Sequence, residues 1–159
     1  MTPAAGRIGV FNRSHYEDVL VVRVNELVPQ EVWSRRYDQI NAFEAHLVAN
    51  GRRIVKLFLH ISRDEQRERF QQRLEDPTRH WKWSPGDLDA RARWDDFLAA
   101  YTDAIARCST DIAPWYVIPA DRKWYRDLAA AEIIAETLRE MDPQWPKAQE
   151  DLSKVVIPA

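Results

Sequence analysis

The sequence is poor in cysteine and contains no long apolar run. Cys108 is the single cysteine among 159 residues, so an intrachain disulfide is excluded, which favours a reducing compartment. No apolar stretch approaches the roughly 20 residues needed to span a bilayer, and the first residues have no signal-peptide core. These observations predict a cytoplasmic protein that does not interact with membranes.

The sequence also lacks an excess of charge of one sign. The formal net charge is −2, so the chain generates no overall field that would attract nucleic acid, and we expect no nucleic-acid partner. The hydrophobic share of 45% and the charged share of 30% are those of an ordinary globular domain, which excludes a disordered chain. Any anion site must therefore be built locally from clustered arginines.

Short apolar runs alternate with helical patterns along the chain. Runs at residues 7–12, 54–61 and 115–118 predict buried strands, and the segments between them carry apolar residues at helical spacing. This alternation predicts an α/β fold with a parallel sheet flanked by helices. Residues 63–107 are the candidate for a helical hairpin above the sheet. We expect a single domain over residues 1–159.

Polar residues follow the first predicted strand. Arg13 stands where a strand passes into a helix and can grip a phosphate, while Glu17 and Asp18 can help to hold Mg²⁺. A capped helix with exposed charges explains the same residues, because Ser14 and Glu17 form a capping box. On chemistry alone the two interpretations are equally supported.

A second group of basic residues lies in the candidate hairpin. Mobile arginines that close over a phosphoryl group would stabilise the charge that spreads over its oxygens. The alternative is a solvated helix, since nearby acids almost balance these cations. The basic residues are Arg63, Arg67, Arg69, Arg73, Arg79, His80 and Lys82.

A third polar stretch, residues 119–124, follows the last predicted strand. Asp121 and Lys123 could contact a nucleotide there, or Asp121 could simply cap the last helix, which is slightly favoured. The four histidines have no metal-ligand spacing, so a zinc site is not expected. No arrangement of serine, cysteine, histidine and aspartate indicates a hydrolase.

Taken together, these stretches resemble the type-2 polyphosphate kinases, P-loop enzymes that move phosphate between polyphosphate and nucleotides. The similarity runs from about residue 4 to residue 142 in the order and spacing of that family. The matching stretches are residues 6–24, Glu65-Gln66-Arg67-Glu68-Arg69-Phe70, Asp76-Pro77, Trp81-Lys82, Arg93-Trp94-Asp95-Asp96-Phe97, Ala113-Pro114-Trp115 and residues 119–124.

The resemblance implies a role for each matching position. Asn12-Arg13-Ser14 takes the place of the Walker-B-like motif, with Arg13 facing the phosphates, and Asn12 stands where many relatives have aspartate. Glu17 and Asp18 correspond to the retained acids, with Asp18 as the metal ligand. Inorganic polyphosphate, a nucleotide (ADP, AMP or GDP) and Mg²⁺ are the implied ligands, and a homo-oligomer is the implied assembly. The lid positions over polyphosphate are Arg67, Arg69, Arg73 and Lys82.

The sequence departs from this family at one point. Members begin with a strand and a loop of the form G-x-D-x-x-G-K-x-G, and none of the four glycines here belongs to such a loop. We therefore expect a partial P-loop kinase domain that lacks the N-terminal strand and has little or no activity on its own. The alternative is a non-catalytic remnant or a partner subunit of a full-length kinase. An ATP-dependent kinase of the thymidylate type is disfavoured by the tryptophan-containing stretches.

Overall fold

The computed structural model describes residues 2–146 and residue 155. Helices and two short strands alternate along these residues, with 3-10 helices at His15–Asp18 and Pro77–Lys82. The α-helices and β-strands, in chain order, are α1 (Val21–Val24), α2 (Gln30–Trp33), α3 (Arg36–Ala49), β1 (Lys56–His60), α4 (Arg63–Glu75), α5 (Gly86–Ala92), α6 (Trp94–Cys108), β2 (Trp115–Pro119) and α7 (Lys123–Met141).

The two strands form a parallel sheet. Lys56 pairs with Trp115, and the register continues to the pair of His60 and Pro119. Parallel strands need a long crossover, and here it contains α4, α5 and α6. The α/β class predicted from the alternating pattern is confirmed.

The core lies between the start of β1, the first 3-10 helix, α3 and α6. Small residues of α6, such as Ala100 and Ala104, allow the neighbouring backbones to approach closely. Three aromatic side chains (Tyr16, Tyr37 and Trp115) pack at its centre or rim. The buried core members are Tyr16, Val19, Leu20, Tyr37, Ile40, Ala100, Ala104 and Cys108.

The strand predicted at residues 7–12 is wrong. This segment has no regular secondary structure, and Ile8, Val10 and Phe11 are 77%, 93% and 59% exposed. A strand forms only where a neighbouring strand completes its backbone hydrogen bonds, and the described sheet consists of β1 and β2. An apolar run indicates that a segment tends to be buried, but it does not supply the neighbouring strand that a β-strand needs.

Two stretches with apolar residues at helical spacing are each divided into two helices. The spacing over residues 30–50 predicts one helix, but it is divided at Ser34 and Arg35, although both residues keep helical backbone angles. The spacing after Asp87 predicts one helix to about Arg107, but it is divided at Arg93, whose backbone leaves the helical region (φ −102°, ψ 31°). The guanidinium of Arg93 donates a hydrogen bond to the carbonyl of Val24 at 3.2 Å, which joins this kink to α1.

The residues that begin and end helices were the most accurate part of the sequence prediction. Ser62 and Glu65 form a capping-box pattern, and Ser62 caps α4 as this pattern predicts by accepting a hydrogen bond from the amide of Glu65 at 3.1 Å. Asp76 and Pro77 end the same helix, and α7 has the bounds that its apolar spacing predicts, about Lys123 to Met141. The prolines at positions 143, 146 and 158 predict an irregular tail, which lies largely outside the described residues.

Across the described part of the chain, no helix combines the length and the apolar character needed to cross a membrane. Cys108, at the end of α6, is buried as a free thiol. Burial raises the pKa of this thiol above its ordinary value, so Cys108 is suited to packing rather than to nucleophilic chemistry.

Candidate functional site

The carboxyl ends of the two strands meet at one edge of the sheet. The amide of Ala120, just after β2, donates a hydrogen bond to the carbonyl of His60 at 2.7 Å. One residue further, the Asp121 carboxylate accepts a hydrogen bond from the amide of Ser62 at 2.7 Å. In open α/β sheets ligands bind at this edge, so the loops after β1 and β2 form one wall of a candidate site.

A shallow groove of about 500 Å³ opens beside this edge. The hydrogen bond from the Ser62 amide holds the pKa of Asp121 below its usual range, so this carboxylate stays ionised. Lys123 begins α7 next to the groove and is exposed. The groove residues are His60, Ser62, Pro119, Asp121, Arg122, Trp124 and Tyr125.

Arg69 links helix α4, which carries several arginines, to the same edge of the sheet. Its Nε donates a hydrogen bond to Glu65 at 2.7 Å, and its Nη2 donates to the carbonyl of Ala120 at 2.8 Å. Two of the guanidinium nitrogens are thus used in hydrogen bonds within the protein. In this structure Arg69 fixes the base of the hairpin relative to the loop after β2.

The other predicted lid cations are more accessible. Arg73 donates a hydrogen bond to Asp87 of α5 at 3.0 Å, and both side chains are about 30% exposed. Arg67 is exposed on α4, while Lys82 is exposed with its ammonium 5.0 Å from the ring centroid of Trp81. Arg67 and Lys82 therefore present positive charge toward solvent, while Arg73 shares its charge with Asp87.

Arg13 lies in a strained turn. Its φ is +74°, a left-handed backbone conformation that costs a non-glycine residue roughly 1–2 kcal/mol. Its side chain is 77% exposed, and its Nε lies 4.0 Å from Glu17 Oε1. Asn12 beside it is also exposed. Strain of this kind persists where the neighbouring structure holds it, and it is common at functional sites.

Tyr101 connects this turn to the sheet. Burial raises the pKa of Tyr101, the negative charge of Glu17 raises it further, and the positive charge of Arg13 lowers it, so both charges act on this one ring. The ring stacks on Phe58 of β1 with centroids 4.6 Å apart. Tyr101 is therefore a side chain that packs on the sheet and senses the charges of the turn, and the sequence did not identify it.

The acids beside Arg13 offer oxygen ligands but do not form a closed metal site. Oδ1 and the backbone carbonyl of Asp18 both accept hydrogen bonds from Arg36, at 3.3 and 3.0 Å, and the Asp18 side chain is 62% exposed. Within residues 2–146 and residue 155, no three histidine, cysteine, aspartate or glutamate side chains are grouped to hold a metal ion. Glu17 and Asp18 fit a Mg²⁺ ion that takes its remaining ligands from phosphate and water.

A buried charged network behind this turn was missed by the sequence reasoning. Lys56, 6% exposed at the start of β1, donates hydrogen bonds to Tyr16 Oη at 2.9 Å, Glu44 Oε2 at 2.6 Å and the Cys108 carbonyl at 2.7 Å. The other oxygen of Glu44 lies 3.2 Å from Nε2 of His15. One signal was available, since Glu44 follows Ile40 by four residues and so lies on the apolar face of α3.

Glu44 is ionised in this network. Burial by itself raises the pKa of its carboxyl, but the hydrogen bonds from His15 and Lys56 outweigh burial and leave the pKa below its ordinary value. The ammonium of Lys56 has three donors, and all three are used. The network is therefore fully satisfied, which a buried ion pair requires.

Comparison with known proteins shows one consistent similarity. A family model described as Polyphosphate kinase 2 matches residues 1–146. The AMP/ADP-polyphosphate phosphotransferase of Meiothermus ruber is 51% identical over 155 residues, which is 98% of this chain and 58% of that relative. The ADP-polyphosphate phosphotransferase of Rhodopseudomonas palustris is 45% identical over 157 residues, covering 91% of this chain and 54% of that relative.

The fold shows the same similarity. The crystal structure of Polyphosphate Kinase 2 from Arthrobacter aurescens TC1 superimposes with a TM-score of 0.91 at 48% sequence identity. That match covers 96% of this chain and 54% of the solved chain. The chain thus spans about half the length of the relatives that it matches.

Proposed function

Because this chain belongs to the polyphosphate kinase 2 family, we propose that it serves phosphoryl transfer between inorganic polyphosphate and a nucleotide. The observation that carries this proposal is the family match over residues 1–146, which includes the Arg13 turn, the hairpin and the groove. In the proposed reaction, a nucleotide phosphate oxygen bonds to the terminal phosphorus of polyphosphate. The bond to the penultimate phosphate breaks in line, and the leaving oxygen retains the electron pair. The reverse transfer uses the same groups.

Arg13 is the residue that we assign to the phosphates. A guanidinium matches two phosphate oxygens at once, and the Arg13 side chain is exposed and already close to an acid that phosphate could replace. Asn12 would add a neutral hydrogen-bonding group beside it. Stabilising the negative charge of the moving phosphoryl is the main way in which side chains accelerate this chemistry.

The hairpin would close over polyphosphate. Arg67 and Lys82 are exposed, and Arg73 is held by one half-exposed acid, so these cations are available to a polyanion at little cost. Arg69 would keep its bonds to Glu65 and Ala120 and set the position of α4. This division of roles supports a lid over residues 63–107 within one partial P-loop kinase domain of residues 1–159.

We further propose that the groove at the carboxyl edge of the sheet receives the nucleotide. Asp121 would accept hydrogen bonds from the nucleoside, and Lys123 would interact with its phosphates. A Mg²⁺ ion held by Asp18, with Glu17 beside it, would neutralise charge on the phosphate oxygens. The free thiol of Cys108 supports a reducing, cytoplasmic location. The exposed apolar side chains of residues 8–11 support a homo-oligomer.

The test compares two exposed arginines. Arg13 and Arg139 are 77% and 70% exposed, and each lies near an acid one turn away, but Arg139 is at the end of α7, outside the proposed site. Binding of a polyphosphate of defined length to the 159-residue chain is measured by calorimetry. Phosphoryl transfer to ADP and AMP with Mg²⁺ is measured in parallel.

We expect Arg13→Ala to weaken polyphosphate binding about 10-fold or more, and Arg139→Ala to have no effect. Little or no transfer is expected from the isolated chain, because its sequence contains no phosphate-binding loop. Transfer that Arg13→Ala abolishes would contradict this expectation of inactivity while supporting the function. Absence of both binding and transfer, or equal losses in the two variants, would contradict the proposed function.

A further inference from the structure

His15 connects the Arg13 turn to the buried network. Its Nε2 lies 3.2 Å from Oε1 of Glu44, a side chain that is 1% exposed. Its ring also packs on Tyr16 and Phe43, with centroid distances of 4.9 and 5.4 Å. A surface side chain two residues after Arg13 is thus fixed by both a charged hydrogen bond and aromatic contacts.

The Arg13 turn needs such an attachment. An arginine at φ +74° returns to an ordinary conformation unless the chain on either side is held. On the amino-terminal side, residues 8–11 are exposed and have no regular structure. On the carboxyl-terminal side, Tyr16 is 3% exposed and is anchored by Lys56. The conformation of Arg13 therefore depends on how the chain is held on its carboxyl-terminal side, starting with the contacts of His15.

We infer that His15 is a positioning residue for Arg13, acting through its hydrogen bond to Glu44. This inference uses the proposed phosphate-binding role of Arg13. The bond holds the turn in the left-handed conformation and so directs the guanidinium toward phosphate. Without it, the exposed turn relaxes and Arg13 samples orientations that do not meet the ligand, although the side chain itself is unchanged.

The contact contributes less to the stability of the fold than the ion pair behind it. Glu44 keeps its hydrogen bond to Lys56 when His15 is replaced, so the buried carboxylate retains its cation and only Oε1 loses a partner. The His15 side chain is 37% exposed, so its replacement leaves no large cavity. Urea denaturation of each variant therefore separates an effect on positioning from the smaller effect on folding at this residue.

The test is His15→Phe, which keeps a ring against Tyr16 and Phe43 and removes the nitrogen that contacts Glu44. His15→Gln restores a side-chain amide donor at a similar reach. His46→Phe is the matched control, because His46 is exposed on α3 and lies outside the turn. Polyphosphate affinity of the full chain is measured by calorimetry. The conformation of Arg13 is measured by NMR, where a left-handed residue gives a strong amide-to-α-proton cross-peak.

We expect His15→Phe to weaken polyphosphate binding about 10-fold, approaching the loss in Arg13→Ala, and to weaken the Arg13 cross-peak. His15→Gln should recover both signals, and His46→Phe should change neither. An unchanged cross-peak and unchanged affinity in His15→Phe would overturn the inference. If wild-type protein binds no polyphosphate, the proposed function fails, but the NMR comparison still decides whether His15 holds the turn. Should His15→Phe not fold, His15→Leu provides the same comparison.

Discussion

Charged side chains are arranged in opposite ways in two regions of this molecule. At the start of β1, Lys56 and Glu44 are 6% and 1% exposed, and Lys56 donates all its hydrogen bonds within the protein. Along the hairpin, by contrast, Arg67 is exposed and Arg73 shares a half-exposed contact with Asp87. Lys56 has no hydrogen-bond donor left for a ligand. Arg73, by contrast, can exchange its weakly held carboxylate partner for a phosphate.

The difference assigns the two regions separate parts in the proposed function. A buried ion pair is expensive to break, so the Lys56 network fixes the elements that carry the Arg13 turn. Exposed pairs contribute little to stability, so the hairpin can rearrange around a polyanion at small cost. Rigid support behind the turn and adaptable charge on the hairpin are what the proposed phosphoryl transfer would require.

The largest expected effect on the free energy of unfolding comes from removing one charge of the buried Lys56–Glu44 pair. Lys56→Ala leaves Glu44 buried without its main partner, and we expect a loss of about 3–5 kcal/mol in the free energy of unfolding. The measurement is urea denaturation followed by circular dichroism. The double variant Lys56→Met with Glu44→Leu removes both charges and should recover most of the loss. A single variant that costs less than about 1 kcal/mol would contradict the comparison, since it would mean that the pair behaves like a surface pair.

A smaller effect on the free energy of unfolding is expected when the pH is lowered. The folded-state pKa of Glu44 lies below its ordinary value of 4.5, so this residue stabilises the fold fully above pH 4.5. The contribution is lost as pH falls from 4.5 through the lowered folded-state pKa, because protonation is then easier in the unfolded chain. Denaturation at a series of pH values measures the slope. Glu44→Gln should be less stable at neutral pH and should have a shallower slope, and an unchanged slope would show that Glu44 does not carry the effect.

The smallest effect on stability is expected in the hairpin. Asp87→Asn removes the acid that holds Arg73, and the free energy of unfolding should change by less than about 0.5 kcal/mol. Polyphosphate affinity should rise about 2-fold to 3-fold, because Arg73 no longer interacts with a competing carboxylate. Asp127→Asn is the control, since Asp127 contacts Arg126 in α7, away from the hairpin. A large loss of stability in Asp87→Asn would show that the hairpin charges are structural after all.

Part of the candidate site could be predicted because it depends on neighbours in sequence. The Ser62 cap and the start of α4 follow from residues 62–65, and the strand ends follow from short apolar runs. Those features bring Asp121 and the start of α4 to one edge of the sheet. The engagement of Arg69 with Ala120, 51 residues away, could not be predicted in this way.

The sequence by itself determined the α/β class, the N-cap of α4, the bounds of α4 and α7, and the family resemblance, since these depend on residue types at short spacing. Tertiary structure decided that residues 7–12 form no strand, and that Lys56 meets residues 12, 40 and 52 positions away. The physical reason is that a strand or a buried charge is stable only when distant groups complete its hydrogen bonds. Such partners are selected when the whole chain packs.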